Sequence, residues 1–408
     1  MKVTVVSRSD ANGGAAVVSR RLTEALREQG VDARMLVADA RFPDSVRVRY
    51  PFRKPLAFLA ERLQIFLHNG FSRKNLFKTD TGAFGLPLWR HPLIKDADMV
   101  ILNWVNQGML SLKGVRKICR SGKKVVWTMH DMWNLTGVCH HAMECREFTG
   151  ECSSCPLISH RLCHKTWRRK KDLYDGTNIT FVAVSSWLAE KAMESTLLKD
   201  REVAVIPNAI RVKEGSASLR AETPTARILF AAATLDNWIK GLDTFRDSVA
   251  IFARKYPELA ERAVVALMGG VKNKGAIEGF ALPVDYIGTV AGDDRLAEEY
   301  CRADVTVNCS SFENLPGTLI EGQAYGAIPV AFDRGGQRDI IDHLSTGYLA
   351  EWDDNPEKRA EAIADGMAWA LSQPNGIRER MRRNVENRFS YPAVAKSYLN
   401  MMKTQRGN

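Results

Sequence analysis

At 408 residues the chain is long enough for two domains of ordinary size, each with its own core. Hydrophobic residues make up 45% of it and charged residues 26%, which excludes a disordered polypeptide, and no apolar run approaches the ~20 residues of a membrane-spanning helix. The net charge of +11 is unevenly shared: residues 1–205 hold 33 Lys and Arg against 20 Asp and Glu, whereas residues 206–408 hold 25 against 27.

In chain order, residues 3–6 read as a β-branched strand that starts almost at Met1, which predicts no secretory leader and a cytoplasmic protein. Gly13-Gly14 is a turn, and Val18, Leu22, Ala25 and Leu26 then recur at helical spacing until Gly30. Further strands are predicted at 33–37, 99–102, 125–129, 179–184 and 203–206. The second half repeats the alternation, with strands at 228–232, 264–268, 305–307 and 328–331 and helices at 242–254, 295–301, 318–325, 357–371 and 391–402. Strands that alternate with helices form parallel sheets covered on both faces, so two doubly wound units in succession are expected. A Ser-, Ala-, Thr- and Pro-rich stretch at 214–225 marks the linker. The predicted divisions are 1–207, 208–390 and a closing helix, 391–408.

Much of the basic excess lies between residues 41 and 78. There Arg47, Arg49, Arg53, Lys54, Arg62, Arg73, Lys74 and Lys78 are mixed with Phe52, Leu56, Phe58, Leu59, Leu63, Ile65, Phe66 and Leu67, and a second run, Arg168-Arg169-Lys170-Lys171, follows Trp167. This mixture suits a helix lying on anionic lipid, where each charge contributes about 1 kcal/mol, and equally a solvated face over a packed helix. No nucleic-acid-binding module accompanies the charge, so no nucleic-acid partner is expected.

Four of the eight cysteines, Cys139, Cys145, Cys152 and Cys155, fall in one stretch, with His140, His141, Cys163 and His164 close by. In a reducing compartment such density favours a structural tetrahedral zinc site on the four cysteines, with free thiols or stress-induced disulfides as the alternative.

The segment Ser310-Ser311-Phe312-Glu313-Asn314-Leu315-Pro316-Gly317-Thr318-Leu319-Ile320-Glu321-Gly322 sets two glutamates eight residues apart around a loop that opens a helix. The backbone N–H groups of Asn314, Leu315, Gly317 and Thr318, on either side of Pro316, can point at an anion, with the helix dipole adding partial positive charge. Glu313 can accept hydrogen bonds from sugar hydroxyls, and Glu321, one turn inside, can reach a ribose diol. Lys240, just before Gly241 and the next helix, can place an ammonium on a diphosphate. His130 ends the strand 125–129, ahead of Asp131, and can relay a proton or bind a sugar hydroxyl. Taken singly, each pattern also fits a surface turn, a solvated lysine or a structural histidine.

The segment 310–322 and its continuation to Val330 resemble the signature of family 4 of the retaining glycosyltransferases. The resemblance runs through Gly13-Gly14, His130-Asp131, Ile206-Pro207-Asn208 and Lys240-Gly241 to the last helix. It implies the GT-B fold, an α/β architecture of two Rossmann-like doubly wound parallel-sheet domains facing across a cleft, with the C-terminal helix crossing back to the first domain. It implies transfer of a hexose from a nucleoside diphosphate sugar to a growing oligosaccharide in surface polysaccharide synthesis, and the basic first half adds the expectation of a lipid-linked, polyprenyl-type acceptor on the inner face of the cell membrane. By the same resemblance the departing phosphate takes the acceptor proton, His130 contacts the donor sugar, Gly13-Gly14 lies close to the diphosphate, Asn208 lies at the interdomain hinge, and no catalytic metal is required. A subset of the family carries a similar cysteine-rich insertion, here about 139–164. The family's usual arginine ahead of the lysine is absent from 231–239, which leaves the diphosphate clamp incomplete. The rival readings are an epimerase or hydrolase acting on sugar nucleotides with the same fold, and a zinc-bearing scaffold or nucleic-acid binder that would leave Lys240, Glu313 and Glu321 without a role.

Overall fold

The computed structural model describes residues 1–212 and 224–404. The chain forms two compact units, Met1–Ala209 with Val394–Asn408, and Ile210–Ala393. Apart from its last two positions, the predicted linker 214–225 lies outside the described residues.

Among the described residues the first unit carries a seven-stranded sheet built from β1 (Lys2–Ser9), β2 (Asp32–Asp39), β3 (Ser45–Arg47), β4 (Met99–Leu102), β5 (Lys124–Met129), β6 (Ile179–Ala183) and β7 (Val203–Val205). Their order is β3-β2-β1-β4-β5-β6-β7, and every pairing is parallel. The central strand β4 is apolar along its length, and Met99, Val100, Ile101 and Leu102 are all buried. That is the pattern of a parallel strand covered on both faces. The helices are α1 (Gly14–Glu28), α2 (Arg53–His68), α3 (Pro92–Asp96), α4 (Leu112–Cys119), α5 (His160–Asp175) and α6 (Ser186–Glu194).

The second unit repeats the plan with β8 (Ala226–Thr234), β9 (Ala263–Gly270), β10 (Val284–Gly288), β11 (Val305–Asn308), β12 (Ile328–Phe332) and β13 (Tyr348–Ala350). The order is β10-β9-β8-β11-β12-β13, again wholly parallel. Its helices are α7 (Leu242–Lys255), α8 (Pro257–Ala260), α9 (Asp293–Arg302), α10 (Gly317–Tyr325), α11 (Pro356–Leu371) and α12 (Gly376–Arg388). Phe230 of β8 stacks on Phe245 of α7 with ring centroids 4.9 Å apart, at the centre of this unit's core. The last helix, α13 (Tyr391–Thr404), belongs from Val394 onward to the first unit. There the buried Tyr398 hydroxyl lies 2.8 Å from the Thr128 hydroxyl of β5.

Three strands escape the sequence pattern, and all three lie on sheet edges. β3 and β13 are three residues long, and β10 is half-exposed and interrupted by Asp285, so none presents the buried run by which the central strands are recognised.

Strand order reverses between β1 and β4 in the first sheet and between β8 and β11 in the second. Open parallel sheets bind ligands outside the carboxyl ends of their strands at such reversals. Gly13-Gly14 follows β1 and Asn103 follows β4, while Lys240 lies after β8 and Glu313 after β11. The chain order thus delivers Gly13-Gly14, Lys240 and Glu313, singled out from sequence, to the two switch points, each within its own unit.

Candidate active site

In the second unit, the loop after β8 closes in a single turn, Trp238–Lys240, capped by the Asn237 side chain. Gly241 then adopts the left-handed conformation at φ 73°, and a β-carbon there would stand 2.2 Å from the Cys309 carbonyl oxygen. Only glycine allows the turn to press so closely on the end of β11. The Ser311 N–H donates to the Ile239 carbonyl at 2.9 Å, joining the two loops. Lys240 Nζ consequently meets Glu313 Oε1 at 2.5 Å, and the Ser310 hydroxyl donates to the same carboxylate oxygen at 2.9 Å. Both side chains are partly open to solvent, at 31% and 14% exposure, so a ligand can compete for them.

Asn314, Leu315 and Pro316 are buried and lead into α10, whose first residues are Gly317 and Thr318. Pro316 occupies the N-cap position and no side chain caps the helix. Glu321 sits half-buried one turn in. A lysine ammonium, a carboxylate and an uncapped helix amino end at one sheet reversal can receive a polar anion: the ammonium and helix dipole favour negative charge, while the carboxylate accepts hydroxyl donors.

In the first unit, His130 stands at the end of β5 with Nε2 2.7 Å from the Asn103 Oδ1. Burial pushes its pKa down to about 4 against the pull of Asp131, so the ring is neutral near pH 7. A neutral imidazole can accept or donate a hydrogen bond to a hydroxyl. Gly13, at φ 89°, is the N-cap of α1, and open space surrounds the point where its β-carbon or that of Gly14 would stand. Asn208 is half-buried, just before the division at Ala209.

Asp131, which the His130-Asp131 pair offers as a candidate substrate-binding residue, is held by protein donors: the Trp133 N–H at 2.8 Å, the Trp104 indole at 3.1 Å and His140 Nδ1 at 2.7 Å. Its place is that of a positioning residue for the turn after β5. His140 bridges onward, its Nε2 lying 2.7 Å from Asp80 Oδ2, and Asp80 pairs with Arg62 of α2. Burial opposes charge on His140, but Asp131 on one side and Asp80 on the other outweigh it and raise its pKa to about 10. This chain of buried charges was missed in the sequence because its members lie far apart along it. The adjacent cysteines gave His140 a different apparent meaning.

The four cysteines expected to bind zinc do line one cavity, of about 230 Å³, together with Cys163. Among the described residues no group of three or more His, Cys, Asp or Glu side chains is arranged to hold a metal ion. The Cys152 sulfur accepts the Gly137 N–H at 3.1 Å, and the Thr136 hydroxyl donates to the Cys139 carbonyl at 2.6 Å.

Two further features were not read from the sequence. The loop after β12 braces the site, with the Gly336 N–H donating to the Glu313 carbonyl at 3.1 Å. The Gly335-Gly336 pair after a strand was the available signal, like Gly13-Gly14 after β1. Arg334 of that loop does not supply the missing clamp arginine, since its guanidinium packs 4.0 Å over the Trp352 ring. Asp96-Ala97-Asp98 has the spacing of a metal-binding Asp-x-Asp pair but precedes β4, at the opposite strand end, where both carboxylates are engaged by Lys2.

Family models match both halves of the chain: Glycosyltransferase Family 4 over residues 12–214 and Glycosyl transferases group 1 over residues 225–368. The D-inositol 3-phosphate glycosyltransferase of Thermobispora bispora is 29% identical over 182 residues, which cover 42% of this chain and 41% of that relative, so the match spans about two fifths of the relative's length. Among solved structures, sucrose-phosphate synthase of Thermosynechococcus elongatus has a TM-score of 0.63 at 16% identity, covering 100% of this chain and 98% of that one. Anabaena HepE in complex with UDP and glucose has a TM-score of 0.58 at 13% identity, covering 99% and 100%. WaaG, a glycosyltransferase involved in lipopolysaccharide biosynthesis, has a TM-score of 0.61 at 13% identity, covering 97% and 98%. With matches on either side of the unit boundary and parallel-sheet units of the kind these enzymes share, the chain belongs to the family 4, or group 1, glycosyltransferases of GT-B fold.

Proposed function

We propose that this enzyme transfers a hexose, with retention of anomeric configuration, from a nucleoside diphosphate sugar to a lipid-linked oligosaccharide at an anionic membrane surface. The observation that carries the donor assignment is the Lys240–Glu313 pair at 2.5 Å beside the uncapped start of α10, at the switch point of the second sheet. A diphosphate draws the Lys240 ammonium toward itself and takes the helix amides, which releases Glu313 to accept sugar hydroxyls. Glu321 is assigned the ribose diol. In the first unit, neutral His130, oriented by Asn103, is assigned a sugar hydroxyl in the transition state. As the anomeric bond breaks, negative charge grows on the leaving phosphate next to Lys240, and that phosphate accepts the acceptor's proton. The presence of UDP and glucose in HepE supports a UDP-hexose as the first donor to try.

The acceptor assignment draws support from α2 and from the printed role of WaaG in lipopolysaccharide biosynthesis. No described helix is long and apolar enough to cross a membrane. Yet Phe52, Leu56, Leu59, Leu63 and Leu67 are 49–86% exposed and recur along one face of α2. Glu61, Arg62 and Ile65 are its buried residues. Exposed Arg49, Arg53, Arg73, Lys74 and Lys78 flank the stripe. An apolar stripe rimmed by cations matches an anionic bilayer, where insertion removes the apolar area from water and the rim meets lipid phosphates.

Donor binding is tested by thermal shift with UDP-, GDP- and ADP-hexoses, where saturation at ~100 times the dissociation constant adds about 2.7 kcal/mol. Product anomers read by NMR decide the stereochemistry, and an inverted linkage would overturn retention. In vesicle flotation at low salt, wild type is expected to float with phosphatidylglycerol-containing vesicles. The double substitution Leu59→Asp, Leu63→Asp is expected to bind at least about tenfold more weakly, each carboxylate opposing both insertion and the anionic surface. Wild type remaining wholly unbound would remove the membrane assignment while leaving the donor assignment intact.

A further inference from the structure

The loop after β12 carries a single turn, Gly336–Asp339, that presses on the main chain of Glu313. Gly335, which leads into the turn, has φ 102°, a conformation that favours glycine. The point where its β-carbon would stand lies 2.4 Å from the Glu313 carbonyl oxygen and 3.0 Å from Gln337 Oε1. The absence of a side chain at 335 thus brings the amide of Gln337 beside the main chain of Glu313. The turn itself is fixed, since the Gln337 carbonyl accepts the Ile340 and Ile341 N–H groups, both at 3.0 Å.

Gln337 is fully buried, yet neither its Nε2 nor its Oε1 has a hydrogen-bond partner among the described residues. Gln323 of α10 is equally buried and shows how this unit ordinarily treats such a group. Its Nε2 donates to the Ile340 carbonyl at 3.0 Å, and its Oε1 accepts from Asn384 Nδ2 at 2.9 Å. A buried amide without partners is costly, because it has given up water and gained nothing in exchange. Beside a ligand site, the ligand is the natural source of the missing partner. An amide presents a donor and an acceptor side by side, and turning the group end for end leaves that pair unchanged. A hydroxyl, which both donates and accepts, is its complement; phosphate oxygens, which only accept, are not.

We propose that Gln337 is a specificity-determining residue of the donor site, its amide taking one hydroxyl of the transferred hexose next to the hydroxyl that Glu313 receives. The inference rests on the assignment of the donor to Lys240 and Glu313 made above. Gln337 breaks no hydrogen bond of its side chain in turning toward the sugar, so the contact is gained without a compensating loss. A donor that lacks the matching hydroxyl leaves the amide unpaired and is rejected, whereas the nucleoside diphosphate portion is indifferent to Gln337.

The test compares full-length wild type with Gln337→Met, which keeps the length of the side chain and removes both polar atoms. The probes are the donor that stabilises wild type most among the UDP-, GDP- and ADP-hexoses, its monodeoxy analogues and the sugar-free nucleoside diphosphate. In the variant, kcat/KM for the parent donor is expected to fall at least about tenfold, while that for one monodeoxy analogue stays within about twofold of wild type. Inhibition by the sugar-free nucleotide should not change. The urea midpoint should hold or rise, because a buried unpaired amide gives way to an apolar group of similar shape. A merely structural role predicts the reverse, a lower midpoint with equal losses on every donor, and that result overturns the proposal. A wild type that no donor stabilises removes the donor assignment along with it, whereas intact donor binding with unchanged selectivity among the analogues removes only the role of Gln337.

Discussion

Replacing Lys240 with Met is expected to lower kcat by about 10²–10³-fold, the usual effect of removing one preorganised group from the site of developing charge. The fold should be almost unaffected, because the Lys240–Glu313 pair is partly open to solvent and such pairs contribute about 0–1 kcal/mol. Product inhibition by the nucleoside diphosphate should weaken in the same variant. Glu313→Gln should also lower kcat, but its inhibition by the sugar-free nucleotide should stay near that of wild type, since Glu313 is assigned to the sugar. If the two residues serve only to pair with one another, the double variant will be no worse than either single one. If each meets its own part of the donor, the losses will compound. Wild-type kcat/KM in both single variants would end the donor-site assignment.

His140→Gln is expected to cost about 3–5 kcal/mol, because it removes the positive partner from two buried carboxylates, Asp131 and Asp80. The pH dependence carries a definite sign. The imidazole is raised from 6.5 to about 10 in the folded chain, so its stabilisation is fully present below pH 6.5 and is lost as pH rises through about 10. Lys170 works in the opposite sense: burial lowers it from 10.5 to about 7, which makes the fold gain stability across that interval. Because wild type and variant share Lys170, the informative quantity is the difference between them. Urea titrations at pH 6, 8 and 10 should show a gap that is widest at pH 6 and narrows toward pH 10. A gap of constant size would show that His140 is not charged in the fold. Since the network also holds the turn after β5, the variant should bind donor less well, although His140 itself is assigned no contact with it.

The residues that could be found without coordinates share one property, a signal carried by neighbours in the chain. Lys240-Gly241, Glu313 with Pro316-Gly317, and His130 at the end of an apolar strand are local patterns, and local backbone geometry follows from them. The cysteines were visible for the same reason, but their spacing gave no account of which sulfur faces which. It therefore pointed to a set of four, and only the fold shows that Cys163 of α5 joins those four on one cavity. The mixture of basic and apolar residues between 41 and 78 was equally plain, yet composition could not tell whether its apolar side faces a core or solvent.

By itself the sequence determined the alternation of strand and helix, the parallel character of both sheets and the glycines at the ends of their strands, because buried strands and helix boundaries are written in short-range periodicity. Tertiary structure alone decided that Lys240 reaches Glu313 across 73 residues, that Asp131 is consumed by Trp104, Trp133 and His140, and that the edge strands β3, β10 and β13 exist at all. Those outcomes depend on strand order and on desolvation of charges brought together from distant positions, and neither quantity has any expression in a local run of residues.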